Sequence, residues 1–108
     1  ILTALGNDYG FDTVFARQVQ GLGRPGDVLI GLSTSGRSPN VGRAVEAARA
    51  SGLTTIGLLG RDGGELTRCV DHAVVVPGQV TARIQEAHIL ILHVWAKLIE
   101  HRLSDPAH

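Results

Sequence analysis

The chain is 108 residues long, 44% hydrophobic and 19% charged, with 10 Lys and Arg balanced by 10 Asp and Glu. That length holds one domain or part of one, and the apolar share suits a soluble globular unit with a real core. A formal charge of zero lacks the basic excess of a nucleic-acid surface. The longest nearly apolar run, Ile89 to Ala96, is broken by His93 and is too short to cross a bilayer, and no secretion signal opens the chain. Cys69 stands alone, so no internal disulfide forms; this suits a reducing cytoplasm and reads as a small packed residue. The chain opens at Ile1 and contains no Met, which implies a segment of a longer protein.

Ile1 to Leu5 is short and apolar, and Gly6-Asn7-Asp8-Tyr9-Gly10 is a turn cluster. Asp12 and Thr13 suit the cap of a helix over 13–20, with Val14, Phe15 and Val19 as its apolar stripe. Gly21-Leu22-Gly23-Arg24-Pro25-Gly26 spells a G-x-G-x-x-G, but it precedes a strand and opens no helix. The dinucleotide fingerprint needs strand, glycines and helix in that order, so the match is false.

The chain is organised around Asp27 to Asn40. Val28 to Leu32 is an apolar run of the kind buried on both faces of a parallel sheet. Ser33, Thr34, Ser35 and Ser38 follow with four hydroxyls, and Gly36 is free to take backbone angles other residues resist. A helical pattern from Val41 to Ala50 turns its first N–H groups and positive dipole end toward those hydroxyls. The stretch is either a plain βα turn with a Ser or Asn cap, or an anion site fit for a phosphate.

Gly52 closes that helix as the residue after its cap. Thr54 to Leu59 reads as a second strand ending at Gly60, Arg61-Asp62-Gly63-Gly64 as a turn, and Glu65 to Cys69 as a short helix. A third strand, Ala73 to Val76, stops at Pro77. Strand, helix, strand, helix, strand predicts an α/β fold with a parallel sheet and right-handed crossovers. From about Thr81 to Arg102 apolar residues recur at helical spacing, widened by Ile89, Leu90 and Leu92. Such a helix is buried on several sides, which in a chain this small implies a partner subunit.

Gln85, Glu86, His88 and His93 interrupt that apolar helix, and polar groups buried there need partners. Gln85 and His93 are eight residues apart, a rise of about 12 Å and a turn of about 80°. They reach one small ligand only from opposite sides or across a subunit boundary. With no H-E-x-x-H and no C-x-x-C, the helix alone indicates no metal. These residues alone stop at a small anionic ligand, with no reaction named.

The loop Ser33-Thr-Ser-Gly-Arg-Ser-Pro-Asn40 resembles that of the sugar-isomerase (SIS) domain family. Together with Gly6 to Gly10, Gly21 to Leu29, Gly60-x-Asp62-Gly63-Gly64 and Arg83-Ile-Gln85-Glu86-x-His88-Ile89-(x)3-His93, it is similar to the phosphoheptose isomerases of that family. The likeness runs over residues 1 to about 103. It implies a single SIS domain over 1–108, a flavodoxin-like or Rossmann-like three-layer αβα sandwich that here lacks its N-terminal helices and first strands.

The resemblance also implies conversion of D-sedoheptulose 7-phosphate to D-glycero-D-manno-heptose 7-phosphate, toward the heptose of bacterial surface polysaccharides. In that pattern Ser33, Thr34, Ser35 and Ser38 bind phosphate, Asn7 and Asp8 contact the sugar, and Gln85 is a substrate or zinc ligand. His93 is the catalytic histidine and a second zinc ligand. Aldose–ketose isomerisation moves one proton between C2 and C1 through an enediol, and an imidazole of ordinary pKa suits that work. The family's other acid/base, a Glu, and a second His ligand lie upstream, so this chain is expected to be inactive alone. His88 is expected to be structural, and Arg37 stands where the family usually has Asn. A cytoplasmic homotetramer with active sites between subunits is implied, with zinc as cofactor and no nucleic-acid or membrane partner. The alternatives are a non-catalytic SIS relative that associates with a replication initiator, and the sugar-phosphate-sensing part of a regulator. A Glu and a His four apart on an upstream helix would favour the enzyme.

Overall fold

The computed structural model describes residues 14–105. Three strands form one parallel sheet in the order β1-β2-β3: β1 (Val28–Ser33), β2 (Thr54–Gly60) and β3 (His72–Val76). Helix α1 (Val14–Leu22) precedes β1, α2 (Pro39–Ala50) joins β1 to β2, a 3-10 turn (Glu65–Arg68) joins β2 to β3, and α3 (Thr81–Ser104) follows. The register runs Val28 opposite Thr54 through Ser33 opposite Leu59, then Ile56 opposite His72 through Gly60 opposite Val76. The α/β architecture and parallel sheet expected from the sequence are present. The expected reading of Ile1 to Leu5 and the caps Asp12 and Thr13 lie outside the described residues.

The layers follow from strand alternation, which sends successive side chains to opposite faces. Leu59 packs with Val41 and Val45 of α2 and with Leu66, with Leu29, Val70 and Val75 around them. Leu58, also fully buried, points the other way. On that second face Ile84 of α3 comes so close to Gly60 that a Cβ there would lie 2.7 and 2.8 Å from its methyl carbons. Helix α2 therefore covers one face and the start of α3 the other. A side chain at Gly60 would also run into the Thr34 carbonyl, so this glycine lets α3 and the hydroxyl loop meet at the end of β2.

Asp71 ties β3 to β2 at the opposite end. Its carboxylate accepts the Thr55 N–H at 2.8 Å and the Thr55 hydroxyl at 3.1 Å, and Arg49 donates to it at 2.8 Å. These donors, the Thr55 N–H first, hold the Asp71 carboxyl below its ordinary range.

Two expectations are corrected. In α1 the buried residues are Val14 and Ala16, while Phe15 is exposed. Helix α1 lies against α2, whose buried face carries Ala44, Ala47 and Ala48, and such a flat contact favours a small residue over a phenyl ring. Cys69 is exposed, not packed: it follows the 3-10 turn, and its thiol donates to the Glu65 carbonyl at 3.4 Å. Among the described residues no helix is long and apolar enough to cross a membrane.

Candidate functional site

Strand β1 delivers Ser33 to the carboxyl end of the sheet, where ligands of open α/β folds bind. There Ser33 becomes the hub of its loop. Its Oγ accepts the Gly36 N–H at 3.0 Å and shares hydrogen bonds with the hydroxyls of Ser38 at 2.7 Å and Ser35 at 3.4 Å. Ser35 Oγ in turn accepts the Arg37 N–H at 3.1 Å. Gly36 sits at φ +70, and a Cβ there would strike the Gly63 carbonyl. The loop is thus held from inside by hydroxyls and from outside by the backbone of the next βα turn.

The start of α2 is poorer in donors than a generic helix N-terminus. Pro39 has no N–H, and the Val41 N–H is taken by Asn40 Oδ1 at 2.9 Å. Ser38 occupies the cap position but makes no side-chain cap, because its hydroxyl is turned to Ser33. The simple capped turn is therefore not what forms, and an anion at this loop would meet hydroxyls more than helix N–H groups.

Between this loop and α3 lies a cavity of about 440 Å³ lined by Leu32, Ser33, Thr34, Ser38, Gln85, His88 and Ile89. Its size is in the range of small-molecule sites. Of the residues expected at the site, Ser33, Thr34, Ser38 and Gln85 meet on this wall. Ser35 stays within the loop, serving Arg37, and does not line the cavity. His93 is exposed and also off the wall. Asn7 and Asp8 lie outside the described residues.

His88 is 2% exposed and its Nε2 lies 2.8 Å from the Leu59 carbonyl. A carbonyl only accepts, so Nε2 carries the proton and donates it. The expected structural role of His88 is visible here: it pins α3 to β2. The cavity side of α3 is the set Gln85, His88 and Ile89, spaced i, i+3 and i+4. That spacing identifies His88 and Ile89 as wall partners of Gln85; comparing Gln85 with His93 overlooks them.

Arg37 neither reaches the cavity nor faces bare solvent. It forms a two-pronged ion pair with Asp62, Nη1 to Oδ1 and Nη2 to Oδ2, both at 3.1 Å. That guanidinium, followed by the Gly64 N–H, holds the Asp62 carboxyl down to about 2 from an ordinary 3.8.

Zinc does not find a site in these residues alone. Among the described residues no group of three or more His, Cys, Asp or Glu gathers to hold a metal, and Gln85 and His93 stand about two helical turns apart.

The SIS domain family model matches residues 1–60. The chain is 53% identical over 103 residues to the phosphoheptose isomerase of Trichlorobacter lovleyi, covering 95% of this chain and 53% of that protein. It is 61% identical over 99 residues to that of Nitratiruptor sp., covering 92% and 53%. Among solved structures, the phosphoheptose isomerase from Neisseria gonorrhoeae superposes with a TM-score of 0.89 at 52% identity, over 93% of this chain and 56% of that one. One from Francisella tularensis gives 0.89 at 41% identity, over 93% and 54%. The chain spans about half the length of the curated relatives it matches. With the family model matched over 60 of its 108 residues and the hydroxyl loop standing at the carboxyl end of β1, the chain belongs to the SIS domain family.

Proposed function

We propose that this chain is part of a phosphoheptose isomerase, one portion of a single SIS domain, that converts D-sedoheptulose 7-phosphate to D-glycero-D-manno-heptose 7-phosphate. The observation that carries the reading is the cavity wall itself, where the hydroxyls of Ser33, Thr34 and Ser38 face Gln85 of α3. Identity of 53% and 61% to proteins named phosphoheptose isomerase supports it.

In this reading Thr34 and whichever of Ser33 and Ser38 does not spend its proton on the bond they share donate to the substrate phosphate and anchor its tail, while Ser35 keeps the loop in shape. Gln85, with an amide that both donates and accepts, orients the sugar hydroxyls from across the cavity. Asn7 and Asp8 are assigned to the sugar by family likeness. A base takes one proton from C1 of the ketose, an enediol forms as the C2 carbonyl oxygen gains a proton, and a proton returned at C2 gives the aldose as O1 gives up its own. His93 is assigned to that proton transfer. Because it lies off the cavity wall, it acts in a site completed by a second subunit or by residues outside 14–105. The exposed apolar residues Ile89, Leu90, Val94, Leu98, Ile99 and Leu103 of α3 support assembly into a homotetramer. Zinc held with the help of Gln85 and His93 belongs to the proposal by family likeness, as does a place in the cytoplasm.

The test is turnover by the full-length protein of sedoheptulose 7-phosphate, with and without a chelator, followed by NMR of the aldose product. Intact protein that gives no aldose overturns the enzyme and leaves a binding role for the same loop. His93→Ala is expected to cut turnover by about 100-fold or more with the assembly unchanged. Surviving activity removes His93 from the mechanism.

A further inference from the structure

Arg37 sits in the hydroxyl loop, and a basic residue at such a place invites the reading of a direct anion ligand. The geometry is different. Arg37 does not line the cavity, and its guanidinium fork is engaged by Asp62, which lies 25 residues further on, in the turn after β2. Each partner also grips its own loop. Arg37 Nη1 donates to the Ser35 carbonyl at 3.2 Å, and Asp62 Oδ1 accepts the Gly64 N–H at 3.0 Å. Beneath the pair the two backbones touch: Gly36 abuts Gly63 and Gly64, and the Leu66 N–H donates to the Gly36 carbonyl at 3.1 Å.

We infer that Arg37 is a positioning residue: with Asp62 it latches the hydroxyl loop to the Gly63–Gly64 turn, and it strengthens anion binding by holding that loop in shape without touching the anion. This rests on the phosphate-binding reading of the loop. Loops that are ordered before the ligand arrives lose less freedom on binding, so loosening the latch weakens affinity even though no contact to the ligand is removed. The two-pronged geometry matters, since a single exposed ion pair holds little. The Gly36 contact and the Leu66 bond remain when the pair is cut, so the loop relaxes without unfolding.

A direct ligand and a latch give opposite signs at Asp62. Removing Asp62 frees Arg37: a direct ligand would then bind anions more tightly, a latch less tightly. The experiment measures inorganic phosphate and sedoheptulose 7-phosphate binding to the full-length protein by calorimetry, for wild type, Arg37→Ala, Asp62→Ala and the double variant. Both single variants are expected to lose about 3- to 5-fold in affinity, and the double variant about the same as either alone. In turnover the loss appears in KM, with kcat little changed. Tighter binding by Asp62→Ala, additive losses in the double variant, or no loss in either single variant each overturn the latch. Wild type that binds neither anion overturns the phosphate reading instead. In that event the latch is decided by amide exchange at Gly36 and Leu66 in the ligand-free protein: faster exchange in both single variants supports it, and unchanged exchange overturns it.

Discussion

The hydroxyl loop and the last helix solve the same problem in opposite ways. The loop is self-sufficient: Ser33 binds Gly36, Ser35 and Ser38, and the next turn presses on it from outside. Helix α3 is not. Of its 24 residues Ile84 and His88 are buried, while Leu98 and Leu103 remain 60% and 68% exposed. Half of the candidate site is thus held together within these residues, and the other half sits on an element whose apolar surface is largely exposed. In the proposed homotetramer a second subunit would cover that surface.

Substitutions sharpen the contrast. The largest effect on folding is expected on the self-sufficient side: Leu59→Ala removes a fully buried side chain from the α2-facing core and should cost about 2–5 kcal/mol in denaturant unfolding. A loss under 1 kcal/mol would mean that this core is not what holds the loop in place. At the junction of the two regions, His88→Leu keeps the packing but leaves the Leu59 carbonyl without its donor, for about 1–3 kcal/mol. If that variant were as stable as wild type, α3 would not be pinned to β2 by this bond.

Acid probes the polar ties. Asp62 and Asp71 are both depressed, so each contributes stability that is complete above its ordinary value and lost as pH falls through the folded one. For Asp62 that window runs from about pH 4 down to about pH 2. Unfolding followed across that range should be less steep in Asp62→Asn than in wild type; equal slopes would break the assignment. The smallest effect on folding is expected at Leu98→Ser, within about 0.5 kcal/mol for the isolated subunit. In the proposed homotetramer the same change should shift sedimentation toward smaller species, which a wild-type pattern would contradict.

Much of this arrangement is legible in the residues. Val28, Thr54 and Pro77 mark strand limits because apolar or β-branched runs meet turn residues there, and Gly52 closes α2 by local chemistry, whereas its start at Pro39 falls ahead of the expected Val41. What escapes is tertiary. Charge patterning gives no reason for Arg37 to choose Asp62, 25 residues away, over a nearer carboxylate. Phe15 looks like core until α1 is seen against an alanine-rich neighbour, where Ala16 fits. On α3 the attractive pair Gln85 and His93 is split by helical phase, and the closer spacing to His88 and Ile89 decides which residues form the wall. Ser38 shows the same limit at shorter range, since its hydroxyl has two possible partners and only the folded loop shows that it takes Ser33.

The neutralised guanidinium has one more consequence. With Arg37 bound to Asp62, the loop presents serine and threonine hydroxyls to the cavity, and Gln85 faces them with an amide. None of these groups changes its charge over the neutral range. Any pH dependence they give to the capture of a phosphate ester would then come from the guest, whose second ionisation lies at about 6. The loop would act as a fixed gauge of how ionised its ligand is.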